Sequence, residues 1–149
     1  MKRRQFICTA VASIALVGST PTFATAAEMT VYKDPYCGCC GAWADAMRAA
    51  GYAVLIENVA DMAEIKARYN IPSEAEGCHT AVIGNYVFEG HVPLEAVQQV
   101  LREKPAIAGL AVAGMPTGSL GMGDDPGASY DVMALNTDGS QDVYLRVRP

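Results

Sequence analysis

The sequence predicts an α/β fold in which short strands alternate with amphipathic helices in one domain. Its 149 residues are 51% hydrophobic and 18% charged, which is typical of one soluble globular domain. Apolar residues recur at helical spacing in three segments, and runs rich in β-branched and aromatic residues lie between them. Alternation of this kind indicates a sheet that contains parallel strands.

The first 26 residues are predicted to be a secretory signal peptide. Lys2, Arg3 and Arg4 form a basic start, residues 6–17 form a short apolar run, and small residues at 24–26 suit cleavage. The run is shorter than the roughly 20 residues of a membrane-spanning helix, so we expect no stable membrane insertion after cleavage. The segment RRQFI also resembles a twin-arginine export signal. The sequence therefore predicts a periplasmic protein.

Removal of this segment changes the charge and the cysteine count. The full chain has a formal net charge of −5, and the loss of three basic residues leaves −8 on residues 27–149. Cys8 is lost as well, so four of the five cysteines remain. A surface this acidic argues against nucleic acid and anionic membranes as partners. In an oxidising compartment four cysteines would by default form structural disulfides, and the spacing argues against that default.

The first half of the domain predicts two strand–helix units. Residues 29–33 predict a short strand, and apolar side chains at helical spacing follow over residues 39–50. Residues 52–57 predict a second strand, and residues 61–69 predict a second helix with Asp61 as its N-cap. The order β-α-β-α favours a parallel pair of strands.

The next section predicts a hairpin and a third helix. Residues 80–83 and 86–89 flank a Gly-Asn turn, which suits a tight hairpin because glycine readily adopts a positive φ. Residues 94–104 follow a proline and carry an apolar helical face. The combined order βαβα-ββα is that of a thioredoxin-like fold, which we predict for residues 27–104.

Residues 105–149 are predicted to form a C-terminal extension packed on the same domain. The part that ends before Ser129 is rich in glycine and proline and predicts a long loop. Loops of this length in small domains are usually functional or disordered. Strands at 130–135 and 143–147 predict a second hairpin.

Three cysteines stand within four residues at the predicted start of the first helix. Cys37 and Cys40 form a C-x-x-C pair, and a helix N-terminus favours thiolate over thiol through its N–H groups and dipole. A dithiol couple has no use for Cys39 between them, whereas three soft thiolates in one turn suit Cu(I) and can bridge two metal ions. The spacing therefore indicates a soft-metal or redox site.

Cys78 is predicted to supply a fourth sulfur. It precedes the third predicted strand, where thioredoxin-like proteins carry a cis-proline against their active-site cysteines and where this sequence has Thr80. Cys78 should then face the loop from Cys37 to Cys40. Four converging cysteines favour a metal site. Zinc stays an alternative to copper, although structural zinc sites usually use two separated C-x-x-C pairs.

Two histidines and two methionines are further candidates. His91, between the hairpin and the third helix, is a ligand, a helix cap or a plain loop histidine. His79 begins a core strand and is predicted to be a satisfied structural histidine. Met115 and Met122 lie in the glycine-rich loop, where apolar filling rarely needs two methionines. A thioether helps to select Cu(I) over zinc.

The chain resembles the CopG-type copper-resistance proteins, long catalogued as a domain of unknown function. The segments that carry the resemblance are YKDPYCGCCGAW, GCHTAVIGNYVFEGHVP and GMPTGSLGM. It implies a periplasmic thioredoxin-like domain whose C-terminal extension helps to bind a cysteine-bridged cluster of several copper ions, and a role in interconverting Cu(I) and Cu(II) alongside copper efflux. The ligands that it implies are Cys37, Cys39, Cys40, Cys78 and His91, with Met115 or Met122.

The leading hypothesis is a periplasmic copper-binding protein that buffers copper or changes its oxidation state. We expect a monomer whose partners are copper ions and periplasmic copper efflux or chaperone proteins. Turnover as a copper oxidoreductase, with Cys37 and Cys40 as its redox pair, is left open by the sequence. The alternative is a thiol–disulfide oxidoreductase with Cys37 as nucleophile and Cys40 as resolving thiol. A third hypothesis, a disulfide-stapled binding module without metal, predicts no free thiols.

Overall fold

The computed structural model describes residues 28–149, so the predicted signal peptide and Cys8 lie outside the described residues. These residues form a mixed α/β fold with seven strands in one sheet and three helices. The strands are β1 Glu28–Lys33, β2 Ala53–Asn58, β3 His79–Ile83, β4 Tyr86–Glu89, β5 Ile107–Ala111, β6 Tyr130–Asn136 and β7 Gln141–Val147. The helices are α1 Gly38–Ala49, α2 Met62–Arg68 and α3 Leu94–Glu103. The predicted α/β class is therefore confirmed, and the order β1-α1-β2-α2-β3-β4-α3 is the one predicted for residues 27–104.

The sheet order places the cysteine-bearing segments side by side. The strands follow one another as β2-β1-β3-β4-β5-β6-β7, with β1 and β2 parallel and β4 and β5 parallel. β1 and β3 are antiparallel, and Lys33 at the end of β1 pairs with His79 at the start of β3. Because Cys78 directly precedes His79, this register brings it to the loop through which β1 leads into α1.

Apolar side chains cover both faces of the sheet. Helices α1 and α3 pack on one face through Trp43, Met47 and Val97, all fully buried. A smaller cluster beside α2 and the 3₁₀ turn Ser73–Ala75 packs around Val87. Burying side chains of this size stabilises the fold by about 1.5–3 kcal/mol each. The cysteine site lies at the edge of the larger core, where α1 begins.

The local signals for helix and turn are present in the structure. Asp61 is the N-cap of α2, and its carboxylate accepts the N–H of Ala63 at 2.9 Å. Gly84, in the turn between β3 and β4, has a φ of +58°, which a glycine adopts without strain. Within residues 28–149 the helices have at most 12 residues, and none is long and apolar enough to cross a bilayer.

The prediction of an unbroken loop from residue 105 to Ser129 is wrong in its first part. Strand β5, Ile107–Ala111, lies there, parallel to β4 and antiparallel to β6. Its small residues hide the alternation of a strand, and Gly109 is small for a packing reason. A Cβ at Gly109 would lie 1.8 Å from the carbonyl oxygen of Val87. Through β5, the C-terminal hairpin continues the same sheet.

Candidate metal centre

Cys37 ends the loop after β1 and caps helix α1. Its Sγ accepts a hydrogen bond from the backbone N–H of Cys40 at 3.4 Å. The turn before it is closed by Asp34, whose carbonyl accepts the N–H of Cys37 at 3.1 Å and whose carboxylate accepts the N–H of Tyr36 at 2.7 Å. The N–H groups and positive dipole end of α1 therefore face the cysteine sulfurs.

Four cysteines meet at this helix start. Cys37 and Cys40 are joined by a disulfide, and in the described part of the chain Cys39 and Cys78 are free thiols. The Sγ of Cys78 lies 3.4 Å from that of Cys40 and 4.0 Å from that of Cys39. The Sγ of Cys39 lies 3.5 Å from that of Cys37. The expected approach of Cys78 to the cysteine loop is therefore present, and all four sulfurs lie within 4.8 Å of one another.

His91 extends this cluster with a nitrogen. Its Nε2 lies 2.9 Å from the Sγ of Cys78, and its Nδ1 lies 2.7 Å from the carbonyl oxygen of Leu120. A carbonyl only accepts hydrogen bonds, so the proton sits on Nδ1 and the lone pair of Nε2 faces the sulfur. Burial lowers the pKa of His91, which favours this neutral form. Such an arrangement is the one in which a histidine binds metal.

His79 differs from its expected role as a satisfied structural histidine. The side chain is fully buried, and among the described residues its Nε2 has no hydrogen-bond partner. Its Nδ1 lies 3.5 Å from the Sγ of Cys78, and its ring centroid lies 4.7 Å from that of Trp43. Burial lowers the pKa of His79 to about 3, so the imidazole is neutral. Cys78, His79 and His91 form a second group of potential ligands that shares one sulfur with the first.

The glycine-rich loop after β5 contacts both cysteine segments through its backbone. Gly114 donates its N–H to the carbonyl of Glu76 at 2.8 Å, immediately before the segment that carries Cys78. Gly121 packs on α1 so closely that a Cβ there would lie 2.9 Å from the carbonyl oxygen of Cys39. Met115 and Met122 each follow one of these glycines. Met115 is 56% exposed, whereas Met122 is half-buried.

The structure adds a buried ion pair that the sequence analysis missed. Lys66 of α2 and Glu89 at the end of β4 form a salt bridge beside the Cys78 segment, with both side chains buried. A signal for it exists in the sequence, because Lys66 follows Met62 by one helical turn and Glu89 shares a strand face with Val87. A positive charge on α2 and a negative charge on β4 therefore both lie on faces that the apolar pattern predicts to be buried.

The Cys78 thiol is held in its protonated form in the metal-free protein. Burial, and next the neighbouring Cys39, raise the pKa of Cys78 to about 12. A metal ligand must be a thiolate, so metal binding at this sulfur releases a proton.

The donor set fits a soft metal ion better than a hard one. Cysteine sulfurs and imidazole nitrogens are ligands of copper and zinc, whereas magnesium and calcium take oxygen ligands. Three sulfurs from one helical turn crowd a single tetrahedral ion but can bridge several Cu(I) ions. The residues present therefore fit copper as the cargo of this site.

Two solved structures resemble this chain over most of its length. They are forms 1 and 2 of a protein named "Copper resistance protein copG", and each is 35% identical to this chain. Form 1 has a TM-score of 0.78 and aligns with 84% of this chain and 100% of its own. Form 2 has a TM-score of 0.77 and aligns with 83% of this chain and 99% of its own.

The family described as "Protein of unknown function, DUF411" matches residues 75–122, which include Cys78 and His91. No curated protein matches the chain. The identity of 35% extends over the full length of the form 1 structure, and the fold agrees along with it. The chain therefore belongs to the CopG family of copper resistance proteins.

Proposed function

We propose that this protein is an exported, periplasmic copper-binding protein. It holds several copper ions in a cysteine-bridged cluster, and it buffers copper or interconverts Cu(I) and Cu(II) in copper resistance. The observation that carries the proposal is the convergence of the sulfurs of Cys37, Cys39, Cys40 and Cys78 with Nε2 of His91 beside them. Soft thiolates at this density select Cu(I).

The redox part of the proposal rests on the disulfide between Cys37 and Cys40. Two thiolates that become one disulfide give up two electrons, which reduce two Cu(II) ions to two Cu(I) ions. Cys39 and Cys78 stay available as thiolates to hold the product once their protons leave. In the reverse direction two Cu(I) ions give two electrons to the disulfide and open it. Another round of Cu(II) reduction instead needs an external dithiol, which opens the disulfide by exchange and is itself oxidised.

Buried core residues close the site on one side. Cys40, Trp43 and His79 are fully buried, and the indole N–H of Trp43 is held by the carbonyl of Val92 at 2.9 Å. The sulfurs of Cys37, Cys39 and Cys78 are only partly buried, so ions enter from the opposite side. A buried apolar surface beside a metal site limits solvent access and thereby influences the redox potential of a bound metal ion.

A thiol–disulfide oxidoreductase is the second candidate. The disulfide between Cys37 and Cys40 at a helix N-terminus favours it, since this is where low-pKa catalytic thiols occur. Cys39 weighs against it, because a free thiol 3.5 Å from the sulfur of Cys37 invites disulfide exchange within the site.

The first experiment is elemental analysis with an absorption spectrum on protein from copper-fed cells. Several copper ions per chain with thiolate-to-copper charge-transfer bands support the proposal. Metal-free protein with a reducible disulfide overturns it and favours the oxidoreductase.

Cys39→Ala separates the two candidates further. A copper cluster loses ions in this variant, whereas an oxidoreductase keeps its insulin-reducing activity. The matched control is Ala42→Ser, an exposed position on the same helix, which should change neither. Unchanged copper stoichiometry in Cys39→Ala contradicts the ligand assignment.

The proposed location is tested separately by cell fractionation. We expect the mature protein in the periplasmic fraction with Ala27 as its first residue. A cytoplasmic protein that keeps residues 1–26 contradicts the export proposal without affecting the copper site.

A further inference from the structure

The ion pair between Lys66 and Glu89 reaches the metal centre through backbone groups. Glu89 is fully buried and Lys66 is 6% exposed. The Nζ of Lys66 donates to the carbonyl oxygen of Gly77 at 2.9 Å, and the N–H of Gly77 donates to Oε1 of Glu89 at 2.7 Å. The other carboxylate oxygen, Oε2, accepts the hydroxyl of Thr80 at 2.6 Å. One charge pair therefore binds residues on both sides of Cys78 and His79.

The same carboxylate also links the cysteine segment to the histidine segment. Glu89 stands two residues before His91, and its backbone carbonyl accepts the N–H of Val112, the residue directly after β5. Gly77 packs against Gly90 so tightly that a Cβ at Gly77 would lie 2.5 Å from the Cα of Gly90. No side chain fits between these two backbones. The polar contacts on the Gly77 backbone come from Lys66 of α2 and Glu89 of β4.

We propose that the buried pair of Lys66 and Glu89 is a positioning device of the metal centre, which holds the Gly77–Thr80 backbone so that the sulfur of Cys78 meets both the cysteine loop and His91. The carbonyl that Lys66 binds belongs to the peptide bond that leads into Cys78. A rotation of that peptide group would move the sulfur, which now lies 3.4 Å from Cys40 Sγ and 2.9 Å from His91 Nε2.

Stability alone is a poor reason for a buried ion pair at this place. Taking two charges out of water is costly, and well-packed apolar replacements are often as stable or more stable. The pair instead forms three hydrogen bonds with Gly77 and Thr80, and these contacts orient the segment that carries Cys78. Removal of residues that hydrogen-bond and orient metal ligands typically lowers the metal affinity about 10–100-fold.

The inference rests on the proposed copper function and is tested with the full chain under reducing conditions. The double variant Lys66→Met/Glu89→Leu removes the pair without leaving a buried unpaired charge. We expect its Cu(I) affinity, measured by competition with a chromophoric Cu(I) chelator, to fall about 10–100-fold. Lys66→Met/Glu89→Gln keeps an acceptor for the N–H of Gly77 and should recover part of that affinity.

A stability control distinguishes positioning from general loosening. Val97→Ala removes buried volume from α3, a helix that supplies none of the potential ligands. We expect it to lower the free energy of unfolding while the Cu(I) affinity stays within a factor of two. Equal affinity loss in Val97→Ala and in the double variant, at matched stability, overturns the positioning role. Wild-type affinity in the folded double variant overturns it as well.

Thr80→Val decides the matter if the double variant does not fold. This nearly isosteric change removes one hydrogen bond to Glu89 and should lower the Cu(I) affinity about fivefold. Unchanged affinity in Thr80→Val contradicts the inference. Wild-type protein that takes up no copper refutes the proposed function instead, so the two failures are distinguishable.

Discussion

Nε2 of His91 lies 2.9 Å from Sγ of Cys78, while Nδ1 of the same ring is held by the carbonyl of Leu120 at 2.7 Å. Three separate segments therefore define one ligand orientation: the start of β3, the residues after β4 and the long loop. The lone pair of Nε2 is aimed at the cluster before any metal binds, so the ring loses little rotational freedom when it coordinates.

Replacing His91 with alanine should weaken copper binding. We expect His91→Ala to lower the Cu(I) affinity at least about tenfold, because the nitrogen beside Cys78 is lost together with its hydrogen bond to Leu120. Competition with a Cu(I) chelator measures the change. Gln99→Ala on α3 serves as the control and should bind as the wild type does. An unaltered affinity in His91→Ala contradicts a role of this histidine as a ligand.

Copper capacity should depend on the redox state of the disulfide between Cys37 and Cys40. A disulfide offers no thiolates, so the oxidised protein has two fewer ligands than the reduced protein. We expect anaerobic Cu(I) titration to give a higher stoichiometry after treatment with a dithiol reductant. In Cys37→Ala/Cys40→Ala the reductant should make no difference. Equal stoichiometry of oxidised and reduced wild-type protein would show that these two sulfurs are not ligands.

Trp43 should report copper binding by fluorescence. It is the single tryptophan of the chain, it is fully buried, and its ring centroid lies 4.7 Å from that of His79. We expect Cu(I) to quench its emission until the cluster is filled, and Zn(II) to quench it far less because zinc has no redox chemistry. Cys78→Ala should shift the end point to fewer ions. Emission that does not respond to copper contradicts the binding of copper ions next to Trp43.

Gly90 should not tolerate a side chain. Its φ is +68°, and a Cβ there would lie 2.4 Å from the carbonyl oxygen of Val112. We expect Gly90→Ala to lower the free energy of unfolding by about 1–3 kcal/mol. Gly38→Ala is the control, since a Cβ at this first residue of α1 would point into open space, and we expect it to leave the free energy of unfolding about unchanged. Urea unfolding measures both, and equal stability of the two variants contradicts the packing argument.

Short-range signals in the sequence predicted much of this molecule. The apolar periods of α1, α2 and α3, the cap at Asp61 and the glycine turn at Gly84 act over a few residues, and each is present in the structure. The α/β class and the crowding of Cys37, Cys39 and Cys40 in one turn could be predicted for the same reason.

Only part of the long-range pairing could be predicted: the parallel pair of β1 and β2 was expected and is present, whereas strand β5 was not expected. Strand β5 has small residues without clear alternation, and it is a strand because β4 and β6 offer hydrogen-bonding edges on both sides. The local pattern places Lys66 and Glu89 each on an inward face, but their meeting depends on how α2 packs on the sheet, which no local pattern encodes.

The metal centre depends on both short-range sequence signals and long-range packing. Three of its sulfurs lie in one helical turn, so their proximity follows from helix geometry and can be read directly from the chain. Cys78, His91 and Leu120 are distant in sequence, and they meet because β3 pairs with β1 and with β4 in one register and because the long loop packs on α1. A shift of one residue in that register would turn the side chains of β3 to the opposite face, so the tertiary structure alone decides which residues complete the site.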